Sequence, residues 1–104
     1  MMRLIATFTP RAGAAENVRA ILRATAEASR REAGVLAYDL YAPTEGGDTL
    51  ITIESYTDAA AFEAHLASAH VVRAQAALDG LLAHEAAVQT LDPLMPTSCE
   101  DEQR

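Results

Sequence analysis

The chain has 104 residues, 50% of them hydrophobic, and a formal net charge of −7. A length of this order suits one domain that buries a core without staples, and the single cysteine rules out a disulfide within the chain. The acidic balance argues against a nucleic-acid binder, which needs a basic footprint, and no apolar run approaches the ~20 residues of a membrane span.

Residues 3–9 (RLIATFT) are rich in β-formers and stop at Pro10. They predict a first strand with Leu4, Ala6 and Phe8 on one face and Ile5 and Thr7 on the other. The apolar segment is too short for a secretory leader, so a cytoplasmic location is expected. From Ala14 to about Arg31, Val18, Ile21, Leu22, Thr25 and Ala28 recur at spacings of three and four, the pattern of an amphipathic helix. Gly34 is expected near its C-cap. Val35 to Tyr41 (VLAYDLY) predicts strand two, and Pro43 to Asp48 (PTEGGD) a hairpin loop whose glycines supply unusual φ angles.

Strand three is expected from about Thr49 to Tyr56. Thr57 or Asp58 suits the N-cap of a second helix with Phe62 and Leu66 on its apolar face. Ser68-Ala69-His70 interrupts that helix, and a further helical segment from Val71 to Leu82 should bury Val72, Leu78, Leu81 and Leu82. Ala86 to Leu91 predicts the last strand. Pro93 and Pro96 then divide the chain into a domain over 1–92 and a tail over 93–104 that contains Cys99.

The order β-α-β-β-α-β is the split βαβ pattern of ferredoxin-like α+β folds with a four-stranded antiparallel sheet. Strand three is apolar on both faces, Leu50 and Thr52 on one and Ile51 and Ile53 on the other. Two helices cover only one face of such a sheet. A second copy packed sheet against sheet would hide the other, which predicts a homodimeric α+β barrel.

Three stretches, REAGVLAYDLY, LITIESY and DAAAFEAHLASAH, resemble the antibiotic biosynthesis monooxygenase family, small dimeric α+β barrel proteins that include quinol monooxygenases. The likeness runs from about Leu4 to Leu91. The family's acidic-x-Gly turn and tyrosine strand correspond to Glu32, Gly34 and Tyr38, its strand-three glutamate to Glu54, and its helix histidine to His65. The resemblance implies oxidation of a small phenolic or quinone-like substrate by dioxygen without metal, flavin or other cofactor. Other members isomerise small phosphorylated sugars or degrade haem. Many members carry a tryptophan two residues after the strand-three glutamate, where this chain has Tyr56. The Asn-Trp-His arrangement of haem-degrading members is absent, since the chain has no tryptophan.

Alternation places Leu50, Thr52, Glu54 and Tyr56 on one face of strand three, where His65 can meet them if that face looks toward the helices. The expected site is a pocket between sheet and helices, lined by Tyr38, Tyr56, Phe62 and Leu66, with His70 at its rim. His65 would be the general base and Glu54 its orienting partner, because imidazole titrates near neutrality. No metal is expected: His70 lies five residues from His65, about 140° around a helix turning ~100° per residue, unless the helix breaks at Ser68. Asp39 should face the barrel, with Arg3 a candidate partner, and His84 beside Glu85 reads as a solvated helix end. Against catalysis stands a structural His65–Glu54 pair. The rival functions are a cofactor-free isomerase of a small carbonyl compound and a non-catalytic barrel that binds a small ligand.

Overall fold

The computed structural model describes residues 1–98, so Cys99 and the residues after it lie outside the described residues. The element order is β1 (Met2–Phe8), α1 (Ala15–Ser29), β2 (Val35–Tyr41), β3 (Leu50–Tyr56), α2 (Ala59–Ala67), α3 (Ala69–Leu78) and β4 (Ala87–Leu91). The strands form one antiparallel sheet in the order β2-β3-β1-β4. This is the expected α+β, ferredoxin-like arrangement. Among the described residues, no helix is long and apolar enough to cross a membrane.

Period-two alternation decides what each sheet face does. Leu4 pairs with Glu54, Ala6 with Thr52 and Tyr38 with Glu54 across the ladders, and all of these are buried beneath the helices. Ile5, Ile53 and Asp39 form the row on the opposite face. A bulge between Val35 and Ala37 lets Leu36 stand out into solvent. The covered face divides into two clusters. Val18 and Leu22 of α1 pack with Leu50 and Leu78, while Leu4, Ala6 and Tyr56 pack with Phe62. Full burial of a side chain such as Leu4 or Leu22 contributes about 1.5–3 kcal/mol.

Several boundaries differ from the sequence pattern. α1 stops at Ser29 rather than Arg31, because the chain turns there through Arg31 N–H to Ala28 O (3.2 Å) and Glu32 N–H to Ser29 O (3.0 Å). Gly34 is not a left-handed cap. It lies where β2 begins and α2 crosses, and a Cβ there would collide with Ala61 Cβ. The hairpin glycines do take positive φ, 90° at Gly46 and 95° at Gly47. α3 spans Ala69–Leu78 and ends where Gly80 adopts φ +83°. It buries Val71, Ala74 and Leu78, leaving Val72 54% exposed. Leu81 and Leu82 reach the core from the following loop instead.

Asp58 caps α2, its carboxylate accepting the Ala61 N–H at 2.8 Å. At Ser68 the backbone leaves helical geometry (φ −66°, ψ 150°), and the Ser68 hydroxyl and N–H both donate to His65 O, at 2.6 and 3.1 Å. Gly34 thus sets how closely α2 approaches the sheet, and Ser68 sets how α3 leaves α2.

Gly34→Val should force α2 off the start of β2 and cost about 1–3 kcal/mol through overpacking. A urea-melt midpoint identical to the parent would contradict that close approach.

Candidate active site

Three elements meet where β2 begins. The turn after α1 carries Glu32 and is tied down by Val35 N–H to Glu32 O (3.1 Å) and Thr57 N–H to Gly34 O (2.9 Å). Arg30 anchors the same turn, donating from Nε to Tyr38 O and from Nη2 to Asp39 Oδ1, both at 2.9 Å. Asp39, for which the sequence makes Arg3 a candidate partner, is paired with Arg30.

His65 is 3% exposed. Its Nδ1 lies 2.9 Å from Glu32 Oε2, and His70 Nε2 lies 2.8 Å from the same oxygen. An ionised carboxylate only accepts hydrogen bonds, so His65 Nδ1 must carry the proton. In neutral His65 this leaves Nε2 with its lone pair free, and among the described residues Nε2 has no hydrogen-bond partner. Around the ring stand Tyr56 (centroids 5.3 Å apart), Tyr38 (5.6 Å) and Phe62 (6.3 Å). The aromatic surround holds the ring in place, and the carboxylate fixes which nitrogen is basic.

Glu54 does something else. It is buried, and it accepts hydrogen bonds from Thr52 Oγ1 at 2.6 Å and Tyr56 OH at 2.5 Å. A carboxylate offers about four acceptor positions, so two hydroxyls leave room for a further donor. Burial and then hydrogen bonding to Glu54 push the Tyr56 hydroxyl far above the ordinary phenol range. Burial and then the charge of Glu54 do the same for Tyr38. Both tyrosines therefore remain protonated donors at physiological pH.

A cavity of about 810 Å³ lies between sheet and helices, within the size range of small-molecule sites. Tyr38, Glu54, Phe62, His65 and Leu66 line it, as do His84 and Glu85. His65 lines this cavity, and its partners Glu32 and His70 are not among the lining residues.

Of the residues expected at the site, His65, Glu54, Tyr38, Phe62 and Leu66 share the cavity wall, and two do not. Tyr56 is fully buried behind it, because Glu54 holds its hydroxyl. His70 sits behind His65, because the break at Ser68 swings it onto Glu32. The orienting carboxylate of His65 is Glu32 rather than Glu54, whose lone pairs are turned to hydroxyls of its own strand. Only the acidic-x-Gly pattern pointed to Glu32, and no spacing rule connects it to a helix 33 residues away. His65 and His70 converge although five apart, since they occupy two helices and not one.

A model of the antibiotic biosynthesis monooxygenase family matches residues 1–77. The chain belongs to that family. Putative monooxygenase Rv0793 of Mycobacterium tuberculosis is 37% identical over 91 residues, covering 88% of this chain and 89% of that one. The solved structure of Rv0793 superposes with a TM-score of 0.86 at 36% identity, covering 93% of this chain and 98% of that chain. PA3566 from Pseudomonas aeruginosa superposes with a TM-score of 0.85 at 35% identity, covering 90% and 94%. The family resemblance read from Glu32, Gly34, Tyr38, Glu54 and His65 is thus matched by whole-chain similarity in sequence and fold.

The raised tyrosines give the fold an alkaline limit. Below the ordinary phenol value of 10.0 both folded and unfolded chains are protonated, and no stability is lost. Above it the unfolded chain ionises while the folded one resists, so stability should fall as pH rises. Ultraviolet absorbance should show these two phenolates forming only together with unfolding; their ionisation in the folded protein would contradict the Glu54 environment. Tyr56→Phe, which removes one donor from a buried carboxylate, should cost about 1–3 kcal/mol in a urea melt.

Proposed function

We propose that this protein is a monooxygenase that oxidises a small phenolic or quinol-type substrate with dioxygen, His65 acting as general base and no cofactor taking part. Family membership supports the reaction class. The observation that carries the residue assignment is the His65–Glu32 contact, which leaves a basic nitrogen on a ring at the cavity wall.

A substrate hydroxyl gives its proton to His65 Nε2, and the imidazolium formed is stabilised by Glu32 across Nδ1–H. A second substrate hydroxyl donates to Glu54, and the Tyr38 hydroxyl can donate to a substrate oxygen. The deprotonated quinol is electron-rich enough to reduce dioxygen directly. One oxygen atom enters the ring, the other leaves as water, and a quinol plus dioxygen gives a hydroxyquinone plus water. All four electrons come from the substrate, so the balance needs no further reductant.

The assembly is a homodimer in this proposal. Ile53 is 37% exposed on the uncovered face, beside half-buried Ile5 and Ile51 and exposed Tyr41 and Leu91. A second sheet packed on that face would remove them from water. Ile53→Asp should convert a sedimenting dimer to monomer; a wild-type monomer would contradict the pairing.

Dioxygen uptake with a panel of quinols tests the reaction. His65→Ala should lower kcat by about 10²–10⁴-fold with an unchanged circular dichroism spectrum, and Glu32→Gln should lower it less, with KM nearly unaltered. Turnover that continues unchanged without dioxygen would replace this assignment with an isomerase. A His65→Ala variant that merely shifts ligand affinity would replace it with a binding protein.

A further inference from the structure

At the Nδ1 edge of the His65 ring, Glu32, His65 and His70 bring three donor atoms within 4.8 Å of one another. They come from three separate pieces of chain, the α1–β2 turn, α2 and α3. We propose that these three residues form a binding site for a divalent transition-metal ion, and that its occupation switches off His65 as a base.

The spacing suits an ion after side-chain adjustment. Tetrahedral coordination at ~2.0–2.1 Å places neighbouring ligand atoms about 3.3 Å apart. Glu32 Oε2 now stands 2.9 Å from His65 Nδ1 and 2.8 Å from His70 Nε2, so these two separations widen by about 0.5 Å while the two nitrogens, within 4.8 Å of each other, settle at the same spacing around the ion. Two imidazoles and one carboxylate favour zinc, cobalt or nickel over calcium or magnesium, which prefer all-oxygen shells. Hydroxyls stand ready beyond the ligands. Ser29 Oγ and Ser68 Oγ each lie 3.4 Å from His70 Nε2, and the hydroxyl of the completely buried Ser29 has no closer side-chain partner among the described residues. Both can hydrogen-bond a water in the fourth position. The side chains of Glu32 and His70 are 20% and 21% exposed, which opens a path from solvent that does not pass through the cavity.

The effect on His65 follows from its two nitrogens. Metal binding requires a lone pair on Nδ1, so the ring proton moves to Nε2 and each neutral imidazole keeps one proton. Nε2 then cannot accept a proton from substrate. Metal and catalysis use opposite tautomers of one ring, which makes the ion an inhibitor; only this second half rests on His65 being the base.

Zinc and cobalt titration of the metal-free full chain, by calorimetry and chelator competition, tests the site without substrate. One equivalent should bind, cobalt should show tetrahedral visible bands, and His70→Ala should weaken binding at least about ten-fold. Cys99→Ser, which removes the only thiol, should bind as the parent does. Absence of stoichiometric binding, indifference to His70→Ala, or loss in Cys99→Ser would each overturn the site. Dioxygen uptake at one equivalent of zinc tests the switch. Activity should be lost in the parent and retained at the same zinc concentration in His70→Ala relative to its own metal-free rate; full parental activity with zinc bound would overturn the switch while leaving the site. A protein that binds zinc but oxidises no quinol would sink the functional assignment and not the metal site.

Discussion

One oxygen atom, Glu32 Oε2, holds two imidazoles at hydrogen-bond distance, and the chemistry available to the site depends on it. Histidine near neutral pH has two tautomers of similar stability, and a base is useful only if its lone pair faces the substrate. An acceptor-only group behind Nδ1 removes that ambiguity. The buried aromatic surround then restricts the ring's motion, so orientation is fixed before any substrate arrives.

The fold keeps this contact through small local features. Arg30 ties the Glu32 turn to β2, Gly34 lets α2 come close, and Asp58 fixes where α2 starts. Ser68 ends α2 directly after the turn that carries His65, and so turns His70 inward. Glu54 supplies a second, independent polar centre. Its hydroxyl donors compensate the burial of a carboxylate that would otherwise be very costly, and burial, reinforced by Glu54, keeps both tyrosines protonated. Two carboxylates thus have separate work: Glu32 fixes the tautomer of His65, and Glu54 holds the Thr52 and Tyr56 hydroxyls behind the cavity wall.

Much of the scaffold was legible because alternation is a local property. Leu4 and Ala6 could be assigned to one face of their strand, and Thr52 and Glu54 to one face of theirs, from period two alone; the ladders bring them and Tyr38 onto a single face of the sheet. The covered stripe of α1 was legible through Val18, Leu22 and Thr25. What could not be read was decided by tertiary geometry. Glu54 looked like the partner of His65 because both were expected on the same pocket wall, but nothing in spacing reveals that Thr52 and Tyr56 already occupy it. The Glu32–His65 contact joins residues 33 apart, beyond any periodic rule. Ser68 was recognised as an interruption, yet its consequence for His70 depends on backbone angles that sequence does not specify. Val71 and not Val72 is buried for the same reason, since the break resets the phase of α3.

The central claim is a tautomer, and magnetic resonance measures it directly. Long-range proton–nitrogen correlation spectra of the metal-free protein with ring-labelled histidine, recorded above the pH at which His65 loses its second proton, should show His65 as the Nδ1–H form, with a lone-pair shift at Nε2. The Nδ1 proton should be displaced downfield by its hydrogen bond to Glu32. An Nε2–H form, or a rapidly exchanging mixture unchanged by Glu32→Gln, would contradict the account.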